Sequence, residues 1–303
     1  MVALSLHTMA TRFELVLHGE DSTRLRATGE EALREIERLD RQLSFYGPES
    51  EVSWINRHAP ETPVKVDPRL FRLLARCAEL SRLTDRAFDI TVGPLMRTWG
   101  FAGGRGRPPD PRELETARGA VGMQHVVLEE HGFTIRFDRP GVEIDLGAVG
   151  KGYAVERAVD ILKESGVLSG LIHGGTSTVY GIGAQPDGKP WRIGIKDPRE
   201  ADRQLEVVEL ADSCLSVSAV HGKSFVHDGR ELGHVLDPRT GDPVKGAQAA
   251  AVIGPSPTDC DALSTALLVL GEPGLDLLTE RFPGYAGRIL SEAADPCKVG
   301  EKQ

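Results

Sequence analysis

The sequence predicts an α+β fold, and three observations carry that prediction. Short segments with period-two apolar alternation recur along most of the chain. Helical periods fall in runs instead of alternating one for one with those segments. A regular βαβ succession is therefore missing, and antiparallel strands with packed helices follow. With 303 residues, 40% of them apolar and both charge signs interspersed, the chain has ample material for a core. We expect a single domain over residues 1–303, opening into two lobes. The Gly/Pro/Arg-rich stretch 103–111 is the expected mobile connector.

Taken in order, residues 2–6 and 13–17 alternate as strands. Residues 23–43 follow a helical period through Leu25, Ala32, Leu33, Ile36 and Leu39, and 44–56 form a turn leading into a short helical piece. Pro68 sits where a first helical turn accepts proline, and Leu70, Leu73, Leu74, Cys77 and Leu80 continue that period. Asp110 opens a further helix, followed by strands at 126–128 and 133–137. Later strands fall near Leu171 and Val179, at 191–195, near Val207, at 215–217, near Phe225 and Val235, and at 249–253. Helices at 259–270 and 274–282 and a strand at 285–290 complete the chain.

The stretch 143–162 is the most distinctive. Val142, Ile144 and Leu146 alternate as a short buried strand, and Ala154, Val155, Ala158, Val159 and Leu162 recur at helical spacing. Gly147, Gly150 and Gly152 lie between the two, where they are expected to take positive φ and let backbone approach a ligand. A new helix offers free N–H groups and a positive dipole end, and Lys151 adds a point charge, which together suit a phosphate. Neither familiar phosphate loop fits. Only Ala148 and Val149 separate Gly147 from Gly150-Lys151, too few for Walker A, and Gly-x-x-Gly-x-Gly reverses the dinucleotide-fold order. The plain alternative is an ordinary strand-to-helix turn.

A second informative site is 259–271. Leu263, Ala266, Leu267 and Leu270 form an apolar stripe, with Asp261 and Thr265 four apart on the opposite face. A carboxylate stacked on a hydroxyl is a pair of hard-oxygen ligands suited to Mg²⁺. Alternatively, Asp261 only complements the helix dipole and Thr265 fills space. His234 opens a strand that ends in an Asp-Pro-x-Thr-Gly turn, and is a candidate phosphate ligand or base, or a structural histidine. His125, His131 and His227 lie in ordinary polar contexts and are expected at the surface. Ser218 near His221 lacks a Gly-x-Ser-x-Gly elbow, and a catalytic triad is rejected.

A net charge of −9 argues against a general nucleic-acid or anionic-membrane binder, so a polyanionic ligand would need a local positive site or a metal ion. Cys77, Cys214, Cys260 and Cys297 form no Cys-x-x-Cys pair, which argues against structural zinc and for a thiol-keeping compartment. No window holds the 18 apolar residues of a membrane span, and the N-terminus shows no signal peptide or lipoprotein leader. Cytoplasmic location is the expectation, unless a leader has been removed.

As an ordered set, these segments resemble the ApbE family, the FAD:protein FMN transferases. The resemblance runs through Met9-Ala-Thr11, Leu43-Ser-Phe-Tyr46, Ser50-Glu-Val-Ser53 with Asn56, and Phe88-Asp-Ile-Thr-Val-Gly-Pro-Leu95 with Trp99. It continues through Ile144 to Ala154, Gly174-Gly175, Trp191, His234-Val-Leu-Asp-Pro238 and Asp261-Ala-Leu-Ser-Thr-Ala266. It implies a T-fold-type α+β arrangement of mixed sheets and packed helices, with FAD held between two lobes. By that likeness Asp261, Thr265 and the backbone carbonyl of Ala148 are the Mg²⁺ ligands. FAD, as substrate, is expected around Met9, Tyr46, Ala87, Phe88, Asp89, Asp145, Lys151, His234 and Val235.

The implied reaction moves FMN from FAD onto a Ser or Thr hydroxyl of an acceptor protein, releasing AMP. Its acceptor would carry an Asp-x-x-Ser/Thr-Gly-Ala-type sequence. Lys151, with the metal held by Asp261, would neutralise charge developing on the pyrophosphate, and His234 or a nearby aspartate would take the proton. The chain departs from the commonest pattern at Thr176, where an acid or amide is usual, and at Val217-Ser-Ala219, where Thr-Ser-Gly is usual. Gly150 stands where alanine often precedes the lysine. Two alternatives use the same site: Mg²⁺-dependent hydrolysis of FAD to AMP and FMN, and a flavin-binding protein without turnover. The intact Asp261 and Thr265 argue against the second.

Overall fold

Helix starts are set by residues that cap them. The computed structural model describes residues 1–104, 106–196, 204–220, 224–245 and 247–291. It opens with a hairpin of β1 (Val2–Thr8) and β2 (Thr11–His18), in register from Val2 opposite Leu17 to Thr8 opposite Thr11. Helix α1 (Ser22–Leu43) begins at Asp21, whose carboxylate accepts the Arg24 N–H at 2.9 Å. Ser50 caps α2 (Glu51–His58) in the same way. After the two-residue strand β3 (Val64–Lys65), Asp67 caps α3 (Pro68–Leu83), with proline in its first turn. The short α4 (Gly93–Thr98) and the Asp110-capped α5 (Pro111–Gly119) precede the hairpin β4 (Val126–Glu129) and β5 (Thr134–Phe137). Helix α6 (Gly150–Glu164) then leads to β6 (Ser169–Gly174) and β7 (Thr178–Gly183). The ribbon β8 (Trp191–Lys196) and β9 (Gln204–Leu210), then β10 (Ser213–Ala219), follow. Last come the hairpin β11 (Ser224–His227) and β12 (Arg230–Gly233), then β13 (Ala247–Gly254), α7 (Pro257–Leu270), α8 (Pro273–Arg281) and β14 (Ala286–Ser291).

One antiparallel sheet of seven strands, in the order β1-β2-β6-β7-β10-β13-β14, organises these elements. Its two faces are built by alternation. Phe13, Leu15, Leu17, Ile172, Cys214, Ala250 and Val252 point to one face and join the main core, where α1, α6 and α7 lie across the strands. Leu171, Val179, Leu215, Val217, Ala251 and Ile253 point to the other, which the β8–β9 ribbon covers with Trp191, Ile195 and Val208. Each fully buried leucine or phenylalanine contributes about 1.5–3 kcal/mol relative to exposure. A smaller apolar cluster forms apart from the sheet, from Leu95, Met96, Trp99, Phe101, Ala117, Val121 and Leu236. The Trp99 indole N–H pins it by donating to the Gly241 carbonyl at 2.7 Å.

The connector after this cluster is tied down in its described part. Arg107 donates its N–H to the Trp99 carbonyl at 2.9 Å, and its guanidinium meets Glu113 at 3.0 Å. Arg105, His221 and Cys297 lie outside the described residues.

Two expected strands are not formed. Val142, Ile144 and Leu146 are buried as anticipated, but the segment joins no sheet. Its backbone is satisfied elsewhere: Ile144 N–H donates to Asn56 Oδ1 at 2.8 Å, Asn56 Nδ2 donates to the Ile144 carbonyl at 2.9 Å, and Asp145 N–H reaches the Ile90 carbonyl at 2.7 Å. Around Val235 the chain forms only an isolated bridge between Leu236 and Pro243, because the tight Asp237–Gly241 turn leaves no length for a strand. His125, expected at the surface, is buried and lies 3.0 Å from Asp138, which supplies its polar partner.

Asn56 stands in for a neighbouring strand, so Asn56→Ala leaves an N–H and a C=O of Ile144 unpaired. We predict a loss of about 1–3 kcal/mol, read as a lower urea midpoint at unchanged slope. An unchanged midpoint would show that the segment is held by its apolar side chains alone.

Candidate functional site

A cavity of about 540 Å³ opens between the main core and the smaller apolar cluster. Every residue singled out in the sequence for a flavin or a metal lines it. Met9 comes from the β1–β2 turn, Tyr46 from the α1–α2 connection, and Ala87, Phe88 and Asp89 from the α3–α4 connection. Asp145 and Ala148 precede α6, and Lys151 sits in its first turn. His234 and Val235 follow β12, while Asp261 and Thr265 project from α7.

Backbone strain gathers at the rim. Met9 and Ala10, both lining the cavity, have φ of 49° and 56°. They make a two-residue hairpin turn of the type that requires positive φ at both central positions and usually takes Asn or Gly. Asp85 and Arg86, just ahead of Ala87, have φ of 50° and 64°. Non-glycine residues in this region cost of order 1–3 kcal/mol each and persist where the surroundings over-determine them, often at ligand sites.

The α6 N-terminus differs from expectation in two ways. Gly147, Gly150 and Gly152 all have ordinary negative or extended φ, so none serves as a left-handed hinge. Nor are all the N–H groups there free: Gly152 N–H donates to Asp261 Oδ2 at 2.8 Å. Glycine is needed at 152 for another reason. A Cβ there would sit 2.2 Å from the Pro257 carbonyl oxygen and 2.6 Å from Asp261 Cβ. Close approach of α6 to α7 is what brings the carboxylate to the helix end.

Asp261 is only 3% exposed, and burial pushes its pKa up. The Lys151 charge, the Gly152 and Lys151 N–H groups and the Ser216 hydroxyl (3.4 Å from Oδ1) pull the other way. The Thr265 hydroxyl lies 3.3 Å from the Asp261 carbonyl oxygen and 3.1 Å from Ser218 Oγ. Helix α7 proves buried on nearly all sides instead of amphipathic. One buried carboxylate, a hydroxyl and the Ala148 backbone thus line one cavity with oxygen donors. Among the described residues no group of three His, Cys, Asp or Glu could hold a metal. The donors that do line the cavity, a carboxylate, a hydroxyl and a backbone carbonyl, are hard oxygens of the kind that fits Mg²⁺, which takes few protein ligands and completes its shell with water or phosphate oxygens.

The remaining predicted residues differ in burial and in surroundings. Asp89 is buried, and both its oxygens are engaged: Oδ1 accepts from Thr91 N–H (2.9 Å) and Oγ1 (2.6 Å), Oδ2 from Ser81 Oγ (3.2 Å) and Met123 N–H (3.1 Å). Its carboxylate shapes the wall. Tyr46 is 52% exposed, and its phenol pKa is raised by partial burial and then by Asp145. The His234 ring is half-buried and edge-on to Phe101, with centroids 6.5 Å apart. Sequence reasoning missed Val92, Met96, Ser177 and Leu236 on the cavity wall. Val92, inside the Phe88–Leu95 motif, and Met96, just past its end, lie four apart and so carried a helical-spacing signal. Ser218, dismissed as a triad nucleophile, lines the cavity next to Thr265.

Comparison with known proteins bears on this arrangement. The model of the ApbE family matches residues 9–289. The FAD:protein FMN transferase of Vibrio cholerae is 33% identical over 245 residues, covering 79% of this chain and 72% of that protein. The crystal structure of the ApbE protein of Thermotoga maritima superposes with a TM-score of 0.89 at 31% identity, covering 97% of this chain and 95% of that one. The apo flavinyl transferase ApbE of Pseudomonas stutzeri gives 0.86 at 33% identity, covering 97% and 92%.

The closeness of α6 to α7 makes Gly152→Ala a sharp probe. An added Cβ meets backbone, not a yielding side chain, so we predict destabilisation of about 1–3 kcal/mol or more, measured by thermal unfolding. A melting temperature within a degree of the parent protein would mean that the helices part without cost.

Proposed function

The chain belongs to the ApbE family, and on that premise we propose that it transfers FMN from FAD to a Ser or Thr hydroxyl of an acceptor protein. One observation carries the reading: residues from six separated segments, each part of the family resemblance, line a single cavity of about 540 Å³. That volume lies in the range of small-molecule sites.

In this reading the hydroxyl oxygen of the acceptor forms a bond to the flavin-side phosphorus. The pyrophosphate bond on its far side breaks, and AMP leaves with the electron pair. Lys151, in the first turn of α6, stands beside the phosphates and offsets their charge where the helix dipole is also positive. Mg²⁺, held by Asp261, Thr265 and the Ala148 carbonyl, would supply further neutralisation when bound. The hydroxyl proton passes to His234 or Asp145; Asp89 is poorly suited, because four donors already occupy its oxygens. Tyr46, half in solvent at the mouth, presents an aromatic face to the flavin. The acceptor itself is expected to bring an Asp-x-x-Ser/Thr-Gly-Ala-type segment to the same opening.

The test is to incubate the protein with FAD, Mg²⁺ and an acceptor carrying that segment, then weigh the acceptor by mass spectrometry. We expect an added mass equal to FMN minus water, AMP in equal amount, and no addition when Mg²⁺ is removed. Asp261→Ala should reduce the addition by at least about a hundredfold, with Tyr46→Ala weakening flavin binding. AMP and free FMN with an unmodified acceptor would replace transfer by hydrolysis. Bound FAD without AMP would replace both by storage.

A further inference from the structure

We propose that a second groove, formed by α3, α6 and α7 and lined separately from the flavin cavity, binds a small anion carrying phosphate groups. It encloses about 360 Å³, and Arg69, Arg72, Arg76, Tyr153, Arg157 and Thr258 contribute to its lining.

The central observation is a deficit of hydrogen-bond partners. Among the described residues only two buried side-chain polar atoms lack one, Arg157 Nε and Thr258 Oγ1, and both belong to residues that line this groove. Native proteins rarely leave such atoms unpaired without a water, an ion or a ligand to meet them. Tyr153, 9% exposed, lines the same groove, and its hydroxyl makes no hydrogen bond among the described residues. A hydroxyl, a guanidinium nitrogen and a phenol from two helices are thus held within one recess.

Charge in the groove is unevenly spent. Arg76 is committed, forking onto Asp259 at 2.9 and 2.6 Å and also bonded to Glu79. Asp259 is satisfied by that fork and by the Tyr285 hydroxyl at 2.8 Å. Glu156, the other acid in the lining, accepts from Ser256 Oγ at 2.6 Å and Thr258 N–H at 3.1 Å. Arg157 gives one terminal nitrogen to Asp160 at 2.6 Å. Arg69 reaches Glu35 only at 3.9 Å, and Arg38 already holds that carboxylate at 2.7 and 2.8 Å. Arg72 makes no ion pair among the described residues. Two arginines therefore keep their donor forks open on one face of α3, three residues apart.

Guanidinium forks pair with carboxylates and phosphates alike, but several of them with hydroxyl donors around one recess suit an oxyanion that carries more than one charge and many acceptor oxygens. In a chain of net charge −9 this recess is a local exception. It is also lined by different residues from the flavin cavity, although the same two helices serve both: Tyr153 stands two residues from Lys151, and Asp259 two from Asp261.

Isothermal titration of the full chain with inorganic pyrophosphate, in metal-free buffer of low ionic strength, tests this. We expect saturable binding that weakens by roughly tenfold or more in Arg69→Ala/Arg72→Ala, whose side chains are exposed, with an unchanged thermal unfolding midpoint checking that the variant is folded. Tyr153→Phe, which keeps the ring and removes only the hydroxyl, should weaken it by roughly threefold or more. Lys151→Ala, in the flavin cavity, should leave it within about twofold. Absence of binding at millimolar pyrophosphate, unchanged affinity in the double variant, or loss of binding in Lys151→Ala would each overturn the proposal.

Discussion

A single buried carboxylate ties together the elements that form one wall of the candidate cavity. Asp261 sits near the start of α7, yet its Oδ2 ends the hydrogen-bond ladder of α6 by accepting the Gly152 N–H. An unpaired charge so deep would cost several kcal/mol, so each partner of that carboxylate is held in place by the need to satisfy it. Lys151 and Ser216 answer the same need from α6 and β10. Sheet, helix and helix are thereby locked at one point, and the cavity wall on that side inherits their rigidity. A site for a charged ligand gains from such fixed surroundings, because donors already in place need not reorganise when charge develops.

The opposite wall is built from a smaller apolar cluster with its own constraints. Trp99, Phe101 and Leu236 cluster apart from the sheet and hold α4, α5 and the turn that carries His234. Met9 and Ala10 add a hairpin tip in a strained conformation. The cavity thus lies where the sheet-and-helix layer meets a small satellite cluster.

Much of this was legible in the sequence, and the parts that were not share a cause. Helix starts were legible at Pro68 and Asp110, which act on their own next turn, a local signal, whereas the caps Asp21, Ser50 and Asp67 emerged from the structure. The residues of the cavity were legible through an ordered family resemblance; their distribution among separated loops carries no periodic signal. What failed was everything decided by a distant partner. Residues 142–146 alternate as a strand does, but their backbone partner is the side chain of Asn56, 88 positions away. His125 looked like surface because its neighbours are polar, whereas Asp138 across a hairpin lets it be buried. Gly152 was marked as special, but the body it must clear is α7 and not a ligand. The arginines of the second groove are spread over α3 and α6 and look like ordinary solvated faces until the helices are placed together.

The order of strands in the main sheet has a consequence for how the chain comes into being. β2 lies between β1 and β6, so the edge of the N-terminal hairpin waits for a partner some 150 residues further along. At a synthesis rate of about 5–20 residues per second, that wait lasts roughly 10–30 seconds. Phe13, Leu15 and Leu17 are by then already made, with α1 the helix that packs directly on their hairpin. The open edge and its apolar face are the form of nascent chain most prone to pair with a neighbour. Completion of β6 pairs that edge and closes the window.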